Sequence, residues 1–178
     1  MKLNYKLTNS DFLQYHLYAS SKSALHKKRR FQTQIIIPVI YILTGIYFMI
    51  KYDSYVIIAA FSAIAILWFA FYPKYSGWSY KKHFRKHIEE NYKNRINTPA
   101  EIEFVADGVL TKDHTSESRI KGSEIKNLIE IKNHYFLKLS TDLFIIIPKQ
   151  VIKNEAEFKE KVTALGVQYV NELDWKWK

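Results

Sequence analysis

Two stretches of this chain, 31–50 and 54–73, each run for 20 residues without a charged side chain. As helices rising about 1.5 Å per residue, each is roughly 30 Å long, the thickness of a bilayer's hydrocarbon core. A helix of a soluble protein turns a polar face to water. Neither stretch has one, because Gln32, Thr33 and Gln34 are gathered at one end. The two stretches are therefore expected to cross a membrane as a hairpin, with Lys51-Tyr52-Asp53 as its tight tip. Pro38 and Gly45 are tolerated in such helices. Ala59, Ala60, Ser62, Ala63 and Ala65 would let the two helices approach closely. Tyr52 and Tyr55 at the tip, and Tyr72, Tyr75 and Trp78 at the other end, suit the two interfacial belts.

The distribution of charge sets the orientation. The chain of 178 residues carries a formal charge of +10. Residues 1–30 hold seven Lys and Arg against one Asp, and residues 74–95 hold seven against two Glu. Residues 96–178 are close to neutral, with twelve basic and thirteen acidic side chains. The excess thus flanks the hairpin, at Lys27, Lys28, Arg29 and Arg30 before it and at Lys81, Lys82, Arg85 and Lys86 after it. These eight residues are the expected membrane-surface contacts, each worth about 1 kcal/mol near an anionic lipid surface. By the positive-inside tendency both termini are cytoplasmic and the tip points outward. A nucleic-acid-binding protein would concentrate its positive charge on the folded domain, so no nucleic-acid partner is expected.

Around the hairpin the pattern changes. Leu3, Tyr5 and Leu7 alternate with polar residues as a strand. Thr8 with Asp11 three residues on has the spacing of a capping box. Phe12, Tyr15 and Leu17 or Tyr18 then form the apolar stripe of a helix lying near the membrane surface. Residues 74–97 continue from the second span as a basic juxtamembrane helix, broken at Asn97-Thr98-Pro99. Antiparallel strands follow: 100–106, the turn signal Asp107-Gly108, 109–112, 116–121, a polar turn at Gly122-Ser123-Glu124, and then 128–132, 135–140 and 143–147. The last of these is apolar at every position, which requires cover on both faces. Asn154 caps a final helix with Phe158, Val162 and Leu165 on one side, and Gly166 stops it. His114 and His134 fall in turn-like segments and are expected to be exposed. The chain thus divides into a strand and basic helix (1–30), a transmembrane hairpin (31–73), a basic helix (74–97) and a β domain with its terminal helix (98–178).

Several segments together resemble the YcxB-like family of bacterial membrane proteins. They are Leu7-Thr8 with Asp11, the hairpin, Ile102-Glu103-Phe104 followed by Asp107-Gly108, the run from Glu124-Ile125 to Phe136-Leu137, and Ile147-Pro148-Lys149. The resemblance implies an α+β membrane protein: a two-helix transmembrane hairpin plus a small antiparallel, pleckstrin-homology-like β domain closed by a C-terminal helix. It also implies the bacterial plasma membrane. The chain departs from the family at Gly122, where Trp is frequent, and at Gln150, where Arg is frequent.

Chemistry is sparse. The absence of cysteine removes thiolate nucleophiles, disulfides and cysteine-ligated metals. Ser79 with Lys82 and Ser118 with Lys121 match S-x-x-K, but the supporting parts of a serine acyl-enzyme are missing. His83 and His87 share a helix face among Lys and Arg that would repel a cation. No phosphate-cradling glycine loop occurs. The spans hold no internal charge of the kind an ion pathway uses. No catalytic, cofactor or metal residue is expected, and no enzyme. The expected function is a membrane-anchored cytoplasmic interaction or adaptor module of unknown ligand. Its partners are the anionic lipid bilayer and an unidentified protein, and the β domain would hold a protein segment or a lipid headgroup. The alternative is an immunity or regulatory membrane protein, for example one protecting against a membrane-active toxin. A homo-oligomer is permitted.

Overall fold

The fold is taken from a computed structural model that describes residues 1–177. The chain begins with β1 (Lys2–Lys6), α1 (Asn9–Lys22), α2 (Ala24–Tyr52) and α3 (Tyr55–Asn91). The strands β2 (Pro99–Val105), β3 (Gly108–Lys112), β4 (Glu117–Lys121), β5 (Ile125–Glu130), β6 (His134–Leu139) and β7 (Phe144–Pro148) come next. The described chain ends with α4 (Glu155–Thr163) and β8 (Gln168–Asn171). The class is α+β, with two long apolar helices, two four-stranded sheets and a terminal helix. Compactness separates a sandwich unit, Met1–Tyr15 with Arg85–Lys176, from a hairpin unit, His16–Phe84 with Trp177. The first unit is not a contiguous block, because β1 is hydrogen-bonded antiparallel to β2 across most of the sequence, with Leu3 opposite Ile102. Alternation revealed β1 as a strand but could not reveal its partner.

In the hairpin unit, Ser23 caps α2 by accepting from the His26 N–H. Asp53, at φ 50°, ends the helix in the left-handed conformation and donates its N–H to Met49 O. Both helices run past the apolar stretches, and α3 continues through Pro73 as one helix of 37 residues. Gly45 of α2 is also a point of close approach, since a Cβ there would sit 2.8 Å from Phe61 Cβ and 2.9 Å from Ile58 Cδ1. Ala65 is buried, but Ala59, Ala60 and Ala63 face outward. Both helices are long and apolar enough to cross a membrane. Only 6% and 11% of their most apolar windows is buried within the protein.

In the sandwich unit, sheet A has the order β1-β2-β3-β4 and sheet B the order β7-β6-β5-β8. Strand alternation puts Leu3, Ile102, Phe104 and Val109 on the inner face of sheet A, opposite Leu128, Tyr135, Leu137 and Ile147 of sheet B. Phe158 and Val162 of α4 close one end, with the Phe158 ring against Phe104 and Tyr135. Asn154 caps α4 by accepting from Glu157 N–H, and Gly166 leaves the helix at φ 81°. The turn between β2 and β3 is Ala106-Asp107, with Gly108 already in the strand opposite Val105. Gly108 is required there for close approach, since a Cβ would meet Ile120 O at 2.1 Å. Strand β8, which pairs parallel to β5, carries too few apolar residues to be read from sequence.

The outer face of sheet B is also apolar, through Ile129, Phe136 and Ile146, and the first turns of α1 cover it. Tyr15 lies against Phe136 and Phe144, and Phe12 against Tyr92. This explains why 143–147 has no polar position. Asp11 pins the arrangement. Its Oδ2 accepts from the Thr8 N–H at 2.7 Å and hydroxyl at 2.8 Å, completing the capping box. Its Oδ1 meets His134 Nε2 at 2.7 Å. His134 is therefore buried, contrary to its expected exposure, because α1 lies over the turn that carries it. Burial pushes the Asp11 carboxyl up, but the hydrogen bonds from His134 and Thr8 outweigh it and leave the pKa lowered. Replacing Asp11 with Ala removes a helix cap and a buried charged hydrogen bond. We expect a loss of roughly 2–4 kcal/mol in thermal or denaturant unfolding of the full chain. Because the folded pKa is depressed, the Asp11 contribution is full above the ordinary Asp range and fades as pH falls through the folded value. The wild-type and Asp11→Ala curves should converge only in strong acid.

Candidate functional site

The polarity of the inner face of sheet A changes along its rows. Beyond Ile102 and Val109 that face continues as Tyr5, Ala100 and Thr111, which are only half-buried, and Ser118, which is exposed. The sandwich is therefore open at the end opposite α4. A cleft of about 370 Å³ runs there between the outer strands of the two sheets. Ile120, Leu139, Leu143, Phe144 and Ile145 make it apolar, and Tyr5 stands at its floor. Burial pushes the Tyr5 phenol well above its ordinary value, so it stays a neutral hydroxyl.

The two strands bordering the cleft are unlike. In β7, Leu143 O accepts from Leu139 N–H and Lys149 N–H donates to Asn133 O, so the odd-numbered residues face β6. The N–H and C=O groups of Phe144 and Ile146 consequently point to the open edge. Pro148 has no N–H and closes that edge. In β4 the outward-facing backbone belongs to Glu117, Arg119 and Lys121. Two of these side chains are paired: Glu117 with Lys112 at 3.4 Å, and Arg119, whose Nη2 donates to both Asp107 carboxylate oxygens at 2.7 and 2.9 Å. A charged edge resists strand addition, whereas the uncharged Phe-Ile-Ile-Ile-Pro edge of β7 does not. The rim carries no free net charge to select an ion, since Arg95 pairs with Asp113 at 3.6 Å.

On the α4 side a polar cluster is closed on itself. Glu130, at the end of β5, is buried and contacts Lys149, Lys159 (2.6 Å) and the Tyr169 hydroxyl. The Tyr135 hydroxyl donates to Glu155 at 2.7 Å, and the Lys149 ammonium lies 4.9 Å from the Tyr135 ring centroid. Burial raises the Glu130 pKa, but the hydrogen bonds from the two lysines and Tyr169 dominate and bring it to about 2. Burial and the bond to Glu155 push the Tyr135 phenol up. This is a clamp joining β5, α4 and β8. Its charges are spent on one another, and it offers no unengaged nucleophile or base.

The expected membrane-surface residues lie on the two long helices. Lys27, Lys28 and Arg29 are exposed on the first turns of α2, whereas Arg30 is half-buried. Lys81, Lys82, Arg85 and Lys86 are exposed on the last third of α3. Lys82 stacks over Trp78 at 5.2 Å, and Lys86 reaches Glu90 at 3.7 Å. At the base of the hairpin, His26 of α2 meets the Tyr80 hydroxyl of α3 at 3.3 Å. Ser118 and Lys121 point to opposite faces of β4 and cannot act together. His87 is engaged by Asn91. Among the described residues no group of three His, Cys, Asp or Glu is placed to hold a metal ion. The cleft is not visible in the sequence, since its walls are strands adjacent only in space. The charge-free β7 beside a charged β4 was the available signal.

Residues 106–162 match the family described as YcxB-like protein. That segment runs from the β2–β3 turn through α4, and it contains Asp107-Gly108, Glu124 to Leu137 and Ile147-Pro148-Lys149. It is narrower than the span of motifs that carry the resemblance, since β1, the hairpin and Ile102-Glu103-Phe104 lie outside it. Neither the curated proteins nor the solved structures give a match. The clamp yields a direct expectation. Glu130→Gln removes the buried carboxylate shared by the half-buried Lys149 and Lys159, leaving Lys149 only Glu155 at 3.8 Å, and should cost about 2 kcal/mol in unfolding free energy. The wild-type protein should lose this increment as pH falls from the ordinary Glu range toward about 2, because the folded pKa is the depressed one. A pH series of chemical unfolding on both proteins checks it.

Proposed function

We propose, from the YcxB-like segment 106–162 and the cleft beside it, that this chain is a membrane-anchored adaptor that captures an extended protein segment on the edge of β7. The hairpin spans the plasma membrane with its tip outside, and the sandwich and both termini face the cytoplasm. The basic flanks and the uncharged spans support this placement. The low burial of both helices supports it further, because exposed apolar surface on that scale requires a nonaqueous partner. Two four-stranded sheets closed at one end by α4 are in keeping with a pleckstrin-homology-like module.

The observation that carries the binding reading is the unguarded edge of β7. Phe144, which is half-buried, and Ile146, which is buried, carry backbone donors and acceptors that no strand pairs, beside an apolar cleft. An added strand would satisfy those groups, and its alternate side chains would enter the cleft. Because the rim charges are paired internally, the favoured segment is short, uncharged and rich in β-branched or aromatic residues at alternate positions.

Selection of random peptides against the full chain in nanodiscs tests this. Binders should share that alternating apolar pattern. Amide exchange at Phe144 and Ile146 should slow in their presence, while Glu117 and Arg119 on β4 stay unchanged. Leu143→Arg, at a 62% exposed position lining the cleft, should weaken binding by roughly tenfold or more without altering stability. Protection at β4 instead, or binding that tracks only the anionic lipid content of the disc, would contradict the proposal.

A further inference from the structure

The cationic end of the hairpin unit holds a feature that attraction to a charged surface does not require. Lys74, Gly77, Trp78 and Lys81 fall at i, i+3, i+4 and i+7 on α3 and share one face. Gly77 leaves a gap in that face, and the Trp177 indole fills part of it. A Cβ at position 77 would stand 3.2 Å from the indole Cδ1 and Nε1. The indole is held by the Arg30 guanidinium, 4.6 Å from a ring centroid, and by the Tyr80 ring at 5.1 Å. Its Nε1 is buried and has no hydrogen-bond acceptor in the protein. An open notch of about 690 Å³ remains, lined by Pro73, Lys74, Gly77, Trp78, Lys81 and Trp177.

We infer that this notch binds the phosphate of an anionic phospholipid. The charge is complementary. Within His16–Phe84 the only acidic residue is Asp53, at the tip, whereas eight Lys and Arg lie at the opposite end. Among the described residues Lys74 and Lys81 have no ion-pair partner, and no carboxylate lines the notch. The depth selects a lipid over a free anion. Lys74 directly follows the apolar stretch, and Lys81 lies about 10 Å farther along the helix axis. That interval spans the headgroup layer, roughly 5–8 Å on each side of the hydrocarbon. Trp78 is 60% exposed beside the notch, as suits a ring meeting glycerol and upper acyl carbons. The two ammonium groups bracket the phosphate, and the Trp177 indole N–H, which has no acceptor in the protein, is a third donor lining the notch.

The inference rests on the membrane-spanning reading, and its test separates the two. The full chain is reconstituted in phosphatidylcholine with a minor fraction of phosphatidylglycerol, re-extracted in mild detergent, and its retained lipid is counted by class. Wild-type protein should be enriched in phosphatidylglycerol. Lys74→Gln with Lys81→Gln should cut the enrichment by roughly tenfold or more. Lys27→Gln with Lys28→Gln, an equal charge loss outside the notch, should leave most of it. Gly77→Leu, which fills the gap and keeps the charge, should also abolish it. Excess inorganic phosphate should not displace the lipid. Equal losses in the two double variants, no loss in the first, or an unaffected Gly77→Leu would overturn the proposal, as would displacement by free phosphate. Release of the chain from membranes by alkaline carbonate would instead defeat the membrane reading, whatever the lipid ratio.

Discussion

Large apolar side chains along α2 and α3, among them Leu43, Ile50, Val56 and Ile66, face away from the protein. Something nonaqueous has to cover them. With Gly45 bringing the helices together over a narrow seam, a two-helix hairpin can cover little more than that seam with its own atoms. In the proposed setting lipid covers the rest, and the basic ends of both helices then lie at one depth. That depth gives the Gly77 notch its meaning. Removed from a bilayer, the same notch is a cationic groove with no particular ligand.

The sandwich depends on a different constraint, the non-contiguity of its sheets. Sheet A takes its first strand from the N terminus, and the outer face of sheet B takes its cover from α1. Asp11 joins the two, capping α1 through Thr8 and bonding His134 on β6 with the other carboxylate oxygen. The family-matched segment 106–162 lacks β1, β2, α1 and β8. Taken alone it would lose half of sheet A and the floor of the cleft at Tyr5. The binding reading therefore belongs to the whole chain and not to the matched segment.

Much of the fold was legible because it obeys local rules. The uncharged 20-residue runs announced the hairpin, and the Thr8–Asp11 spacing, the Asn154 cap and Gly166 marked their helix ends correctly. The apolar run 143–147 forecast cover on both faces, although it could not say that α1 supplies it. What escaped the sequence was non-local. His134 resembled an exposed turn residue because its partner lies 123 positions away. The alanines of α3 signalled close helix packing, and Ala65 is buried, but the tight contact of Gly45 on α2 with Phe61 and Ile58 is not visible in either helix alone. Trp177 and Gly77 are 100 positions apart, so nothing in either local pattern suggested that they meet.

In the proposed placement the hairpin crosses the membrane and leaves the sandwich on the cytoplasmic side. The chain contains no cysteine, so single substitutions can report on it without background. Tyr52→Cys places a thiol at the hairpin tip, and His114→Cys places one in the exposed loop between β3 and β4. With a membrane-impermeant maleimide on intact cells, position 52 should be labelled at once and position 114 only after lysis. Labelling of position 114 in intact cells, or of position 52 only after lysis, would contradict the account.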